Sequence, residues 1–178
     1  MEKLQSVGIT SKTSPEYVKK LAQDCEKCGH CCRFGSGYFM EDDISRISSH
    51  MGLKKEHFID EFLHEKEIFN TKIHKGKIKQ KAEDKPFGPC VFFDEEQGCV
   101  IHEIKPFHCR VSMGCGEYGE YIAVWFALNY LVNPNDPESV RQWAQYLNTH
   151  STIPGGELQE LVKDKDKLRK ILNYELLR

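Results

Sequence analysis

The sequence predicts an α-rich α+β fold: a single irregular domain over residues 1–178, with small β-hairpins gathered around its cysteines. Three observations predict it. Apolar residues recur at helical spacing through several segments that begin at capping residues and stop at Gly or Pro. Two shorter stretches instead bunch β-branched and aromatic residues on either side of a turn signal. The eight cysteines fall into two groups rather than scattering along the chain.

Taken in order, residues 1–12 read as a loose leader. Thr13-Ser14-Pro15-Glu16 then offers a helix start, with a capping hydroxyl and proline in the first turn, for a helix running to about residue 23. That helix delivers the chain into Cys25-Glu26-Lys27-Cys28-Gly29-His30-Cys31-Cys32, followed by a glycine-rich turn at residues 33–37. Acidic Glu41-Asp42-Asp43 suits a helix N-terminus, and Ile44, Ile47 and Met51 continue at helical spacing until Gly52 ends the run. A second helix is expected over residues 55–65, burying Phe58, Ile59, Phe62 and Leu63. Residues 68–81 change period and suggest a small exposed hairpin turning near Lys75-Gly76. A second hairpin is expected where Cys90-Val91-Phe92-Phe93-Asp94 turns through Glu95-Glu96-Gln97-Gly98 into Cys99-Val100-Ile101-His102. Residues 118–132 leave no polar face and read as a helix buried on most sides. Asp136 caps a further helix carrying Val140, Trp143, Ala144 and Leu147, and Leu158, Leu161, Val162, Leu168, Ile171 and Leu172 mark a charged amphipathic C-terminal helix. Residues 22–116 therefore form a cysteine-bearing core and residues 117–178 the helical remainder of the same domain.

A chain of 178 residues is long enough for one domain that buries roughly 70% of its unfolded surface, so cross-links are not needed for stability. With 29% charged residues and a formal net charge of −2, it has no bulk pull toward nucleic acid or membrane. The N-terminus lacks the apolar stretch of a signal peptide. The longest apolar run, residues 121–132, falls short of the about twenty residues that span a bilayer. The expected address is cytoplasmic, with no membrane and no DNA among the partners. In that compartment glutathione keeps thiols reduced, and a dense cysteine pattern reads first as metal and second as redox chemistry.

Cys25-x2-Cys28-x2-Cys31 is the strongest local signal. Two-residue gaps let a tight turn aim successive thiolates at one centre, and three in a row suit corners of a cubane, as in bacterial ferredoxins. Zinc sites more often pair one two-residue knuckle with a distant second one. Cys32 is open to several roles: a second centre, a bridge between metals, or the mobile thiol of a reactive pair, because adjacent cysteines rarely share one ion. The second group is Cys90, Cys99, Cys109 and Cys115. All eight are candidate metal ligands, and Cys25, Cys28, Cys31 and Cys32 are the candidate holders of a cofactor. Arg33 and Arg110, each directly after a cysteine, are candidates to offset thiolate charge. The spacing favours an iron–sulfur cluster, 4Fe–4S first, with Zn2+ as the alternative.

Cys25-x2-Cys28-Gly29-x-Cys31-Cys32-Arg33, Pro89-Cys90-Val91-Phe92-Phe93-Asp94, and Gly98-Cys99-x-Ile101-His102-x2-Lys105-Pro106-x2-Cys109-Arg110 together resemble the YkgJ-type cysteine-cluster family of zinc- or iron-chelating domains. The resemblance covers about residues 22–116 and places all eight cysteines on positions the family uses. It implies metal binding. Related domains occur in flagellin lysine N-methylases, which look like iron–sulfur proteins using S-adenosylmethionine, but those enzymes are much longer. Lys105-Pro106 stands where that family usually has arginine-proline.

The function classes left standing are two. One is an iron–sulfur (or iron) protein acting in electron transfer or a modification reaction. The other is a zinc-binding structural or interaction protein with a protein partner. No nucleophile–base pair or nucleotide fingerprint stands out to assign a catalytic residue. His30, His102 and His108 lie beside cysteines and read as supporting or surface residues, because eight thiols already suffice as ligands; His30, inside the ligand loop, is the foremost of the three for ligation. The lysines at 72, 75, 77, 79, 81 and 85 read as guards against strand-to-strand association.

Overall fold

Ser14 begins the first helix as its sequence requires: the hydroxyl accepts from Tyr17 N at 3.3 Å and Pro15 opens α1 (Pro15–Leu21). The computed structural model describes residues 8–22, 25–79, 87–111 and 116–177. Cys115, Lys81 and Lys85 lie outside them. The remaining elements are α2 (His30–Phe34), β1 (Tyr38–Phe39), α3 (Glu41–His50), α4 (Lys55–Phe62), β2 (Leu63–Ile68), β3 (Thr71–Gly76), β4 (Phe93–Asp94) and β5 (Gly98–Cys99). A 3-10 turn at His102–Ile104 leads to α5 (Phe107–Val111), α6 (Gly119–Tyr130), α7 (Pro137–Leu147), α8 (Leu158–Leu161) and α9 (Lys165–Leu172). The fold is α+β and helix-rich. Sheet one has the order β1-β3-β2, and β4 pairs with β5 antiparallel through Phe93↔Cys99 and Asp94↔Gly98.

The chain divides into two compact units. The helical unit comprises Met1–Ala22, Glu67–Lys72 and Gly114–Arg178. Its α6 buries Tyr121, Ile122, Val124, Trp125, Phe126 and Leu128, and Trp125 Nε1 donates to Thr13 O at 2.9 Å. Asp136 caps α7 by accepting from Glu138 N at 2.9 Å, and the fully buried Trp143 donates to Gly156 O at 2.8 Å. Val140, Val162, Leu168 and Ile171 close the apolar cluster beneath α9.

The cysteine unit comprises Gln23–Lys66 and Ile73–Met113. Its core is Phe39, Ile44, Ile47, Phe58, Leu63, Phe92 and Ile101, with Phe58 and Phe92 stacked at 6.0 Å between ring centroids. The buried Asp43 is its main polar staple. This carboxylate accepts from Met40 N at 3.2 Å, from Arg46 Nη2 at 2.7 Å and from Phe107 N at 3.1 Å. It therefore ties the start of α3 to the start of α5.

Three local expectations shift. The helix over residues 55–65 ends at Phe62, because Leu63 turns extended and becomes the first residue of β2. The first hairpin turns at Phe69-Asn70, both at positive φ (49° and 56°), not at Lys75-Gly76. Asn tolerates that left-handed backbone, and the turn is pinned where Asn70 N donates to Gln142 Oε1 at 3.0 Å. The C-terminal amphipathic stretch is two helices. Asp164 accepts from Asp166 N and Lys167 N, both at 3.0 Å, and starts α9 anew.

Candidate metal centre

Gly29 is left-handed (φ 73°) and opens α2 on the two-cysteine step that follows. A side chain there would press on the Phe93 ring at 3.0 Å, so the turn needs glycine for space as well as for φ. The first turn of α2 then presents Cys31 and Cys32 to the same side. Their sulfurs are 3.9 Å apart, so these neighbours converge, although adjacent cysteines rarely share one ion. Cys90 N donates to Cys32 O at 2.7 Å, a backbone bond that joins the two cysteine groups directly. The β4–β5 hairpin supplies Cys99 and α5 supplies Cys109. Gly37 lies against Cys109: a Cβ at that position would overlap Cys109 Sγ.

These elements enclose a cavity walled by Phe39, Phe92, Ile101 and Pro106, onto which Cys25, Cys31, Cys32, Cys90, Cys99 and Cys109 face. Cys28 is exposed and does not line it. Among the described residues no cysteine is in a disulfide, and no three His, Cys, Asp or Glu side chains have donors already grouped around one ion position. The sulfurs interact among themselves instead. Cys32 Sγ is within hydrogen-bonding distance of Cys31 Sγ, and a hydrogen-bonding interaction links it to Cys99 as well. Those hydrogen bonds lower Cys31 to about 6 and Cys99 to about 7, against the opposing effect of burial. Cys32 is correspondingly raised, by its hydrogen bonding with Cys31 and Cys99 first and by burial second. Burial pushes Cys90 up to about 11 and Cys109 well above its ordinary value.

The cations differ from those the sequence pointed to. Arg33 donates to Cys28 O at 3.2 Å, pairs with Glu95 at 3.2 Å and lies over the Phe93 ring. Arg110 donates to Lys105 O at 3.0 Å and Glu103 O at 3.2 Å. Both guanidinium groups brace backbone. Lys105 is the lysine that lines the cavity, and its charge lowers Cys31, Cys99 and Cys109 alike. Sequence reasoning missed it in this role. The available signal was its position between Cys99 and Cys109.

Of the histidines, His30 is exposed and packs on Phe34, whereas His102 lines the cavity. His108 meets the Tyr38 ring edge-on and is lowered to about 4, by burial first and Lys75 second. Lys77 and Lys79 donate to Asp60 O (2.5 Å) and Phe93 O (2.6 Å), so these two tie down backbone.

Soft thiol donors around an apolar-walled cavity, with little hard oxygen chemistry, fit zinc or iron and do not fit magnesium or calcium. The arrangement thus defines a cysteine-based metal-chelating protein. The chain belongs to the CxxCxxCC family, described as "Putative zinc- or iron-chelating domain", whose pattern matches residues 24–124. No curated protein and no solved structure matches the chain. Among the described residues no helix is long and apolar enough to cross a membrane.

Proposed function

We propose that this chain is a cytoplasmic iron protein holding an iron–sulfur cluster, or iron, through the thiolates around this cavity. The observation that carries the reading is the convergence of six thiols, from two separated stretches of sequence, on one apolar-walled cavity. Cys31, Cys32, Cys90, Cys99 and Cys109 are the inner donors in this reading, with Cys25 beside them. Cys28, from the exposed side, and Cys115 complete the eight. Residues 22–116 are the working part of the domain and residues 117–178 its helical companion. A bound cluster, 4Fe–4S first, would supply one-electron transfer, for an electron-transfer partner or a modification reaction. The chain's own residues exclude water through Phe39, Phe92 and Ile101.

One observation favours zinc as a second reading. Two thiolates bound to a single zinc at about 2.3 Å in a tetrahedron lie ~3.8 Å apart. The Cys31–Cys32 pair, at 3.9 Å, already has that spacing. The protein would then be a structural module that recruits a protein partner. Metal and acid-labile sulfide content, measured on protein purified without oxygen, decides between them. Iron with sulfide and visible colour establishes the first reading, and stoichiometric zinc in a colourless solution establishes the second. Protein free of both metals overturns both.

A further inference from the structure

Lys105 lines the cavity and is held at both its backbone and its side chain. Its carbonyl accepts from Arg110 Nε at 3.0 Å and from Arg46 Nη2 at 3.3 Å, and its N–H closes the 3-10 turn onto His102 O at 3.4 Å. Its Nζ lies 3.4 Å from His102 Nε2, while His102 Nδ1 lies 3.2 Å from Glu103 Oε1. Nε2 must accept from the ammonium, so Nδ1 carries the imidazole proton and donates it to the carboxylate. Glu103 is held from the far side by Lys27, at 3.7 Å. The chain Lys27–Glu103–His102–Lys105 runs from solvent to the cavity wall, which His102 and Lys105 line together with the cysteines.

A four-thiolate centre carries net negative charge with either metal, and inside apolar walls that charge is costly unless a cation stands near it. Arg33 and Arg110 are committed to carbonyls and to Glu95, as described above. We propose that Lys105 is the positioning residue that compensates the charge of the thiolate centre, and that His102 and Glu103 aim its ammonium at the sulfurs. The inference rests on the proposed thiolate metal centre, whichever metal fills it. Lys105 is half-buried and, among the described residues, forms no ion pair with a carboxylate, so its charge is not cancelled locally on the cavity wall.

The test compares Lys105→Gln, Lys105→Arg and His102→Gln with the parent protein in two states. In the metal-loaded state, chelator competition gives affinity and, where iron is bound, voltammetry gives the reduction potential. Lys105→Gln is expected to lose about tenfold in affinity, the scale seen when a neighbour of a metal ligand is removed, and to shift the potential negative. Lys105→Arg should restore most of both, and His102→Gln should fall between. In the metal-free state under reducing conditions, ultraviolet thiolate absorbance at neutral pH should drop in Lys105→Gln and recover in Lys105→Arg. That second readout needs no metal, so a parent that binds none sinks the proposed function while leaving this inference to stand or fall on thiolate content. A folded Lys105→Gln protein with parental thiolate absorbance would overturn the inference.

Discussion

In the helical unit, α6 buries seven of its twelve residues, and α7 adds Val140 and Trp143 at full burial. In the cysteine unit, the helices carrying Cys31, Cys32 and Cys109 are five residues long, and α2 buries none of them. A five-residue helix cannot hold itself together in water, because the cost of nucleation is never recovered over so few bonds. What holds α2 and α5 is polar: Gly29 and Arg33 at one, Asp43, Arg46 and Arg110 at the other. The first unit is stabilised by removing apolar surface from water. The second leaves part of its stability to whatever gathers the thiols.

Metal removal should separate the two most sharply. For structural zinc sites the linkage between binding and folding is on the order of 10 kcal/mol. Hydrogen exchange before and after chelation should show protection lost at α2, α5 and the β4–β5 hairpin while α6 and α7 keep theirs. Equal loss in both units would end the contrast.

Next in size comes the helical core. Trp143→Ala should cost about 3–5 kcal/mol in urea unfolding, since it empties a fully buried site and leaves Gly156 O without its donor. The folded fraction should retain parental metal content. Falling metal content in that fraction would show that the units do not stand apart energetically.

Asp43→Ala probes the opposite side. It strips the acceptor from the N–H groups of Met40 and Phe107 and leaves Arg46 unpaired on that side, for about 2–3 kcal/mol. Because Phe107 begins the helix of Cys109, alkylation of Cys109 followed by mass spectrometry should accelerate as well. Unchanged alkylation would remove Asp43 from any part in placing that thiol. Gly37→Ala should cost slightly less, about 1–3 kcal/mol, by driving a methyl into Cys109 Sγ. Metal affinity should drop with it; an unchanged affinity would show that Cys109 can retreat without consequence.

How far the sequence announced all this also differs between the two units. Asp136-Pro137 and the i, i+3, i+4, i+7 run from Val140 to Leu147 carry local signals, and α7 stands where they point. The start of α3 at the acidic triplet and its end at Gly52 were equally legible, because caps and periodicity are properties of neighbouring residues. The convergence of Cys31, Cys32, Cys90, Cys99 and Cys109 was legible only as two groups. Which thiols share a wall depends on the Cys90 N to Cys32 O bond and on α5, a helix too short to show a period. Asp43 read as one of three acids at a helix start, and nothing local marks it as the one whose carboxylate reaches Phe107. Lys105 was hidden for the same reason: its role is set by residues at 46 and 110 clamping its carbonyl.

The smallest effect concerns acid. In the metal-free protein Cys31 and Cys99 are lowered from the ordinary 9.0 to about 6 and about 7, so the fold favours their ionised forms. A group lowered on folding contributes stability that is fully present above its unfolded value and lost as pH falls through its folded value. The contribution should therefore shrink as pH falls from 9.0, through about 7 for Cys99 and about 6 for Cys31. Cys90, raised to about 11, favours its thiol form and has nothing to lose over that range. The helical unit has lowered groups too, but Glu138 and Asp166 are carboxylates, and their loss begins only below the ordinary values of 4.5 and 3.8. Hydrogen exchange across this range should show the cysteine unit loosening between pH 9.0 and 6 while the helical unit holds until the carboxylates protonate. With metal present the same two thiols must be deprotonated to bind, so chelator competition should grow easier through the same window. A cysteine unit that loosened only in the carboxylate range would mean that Cys31 and Cys99 are ordinary thiols.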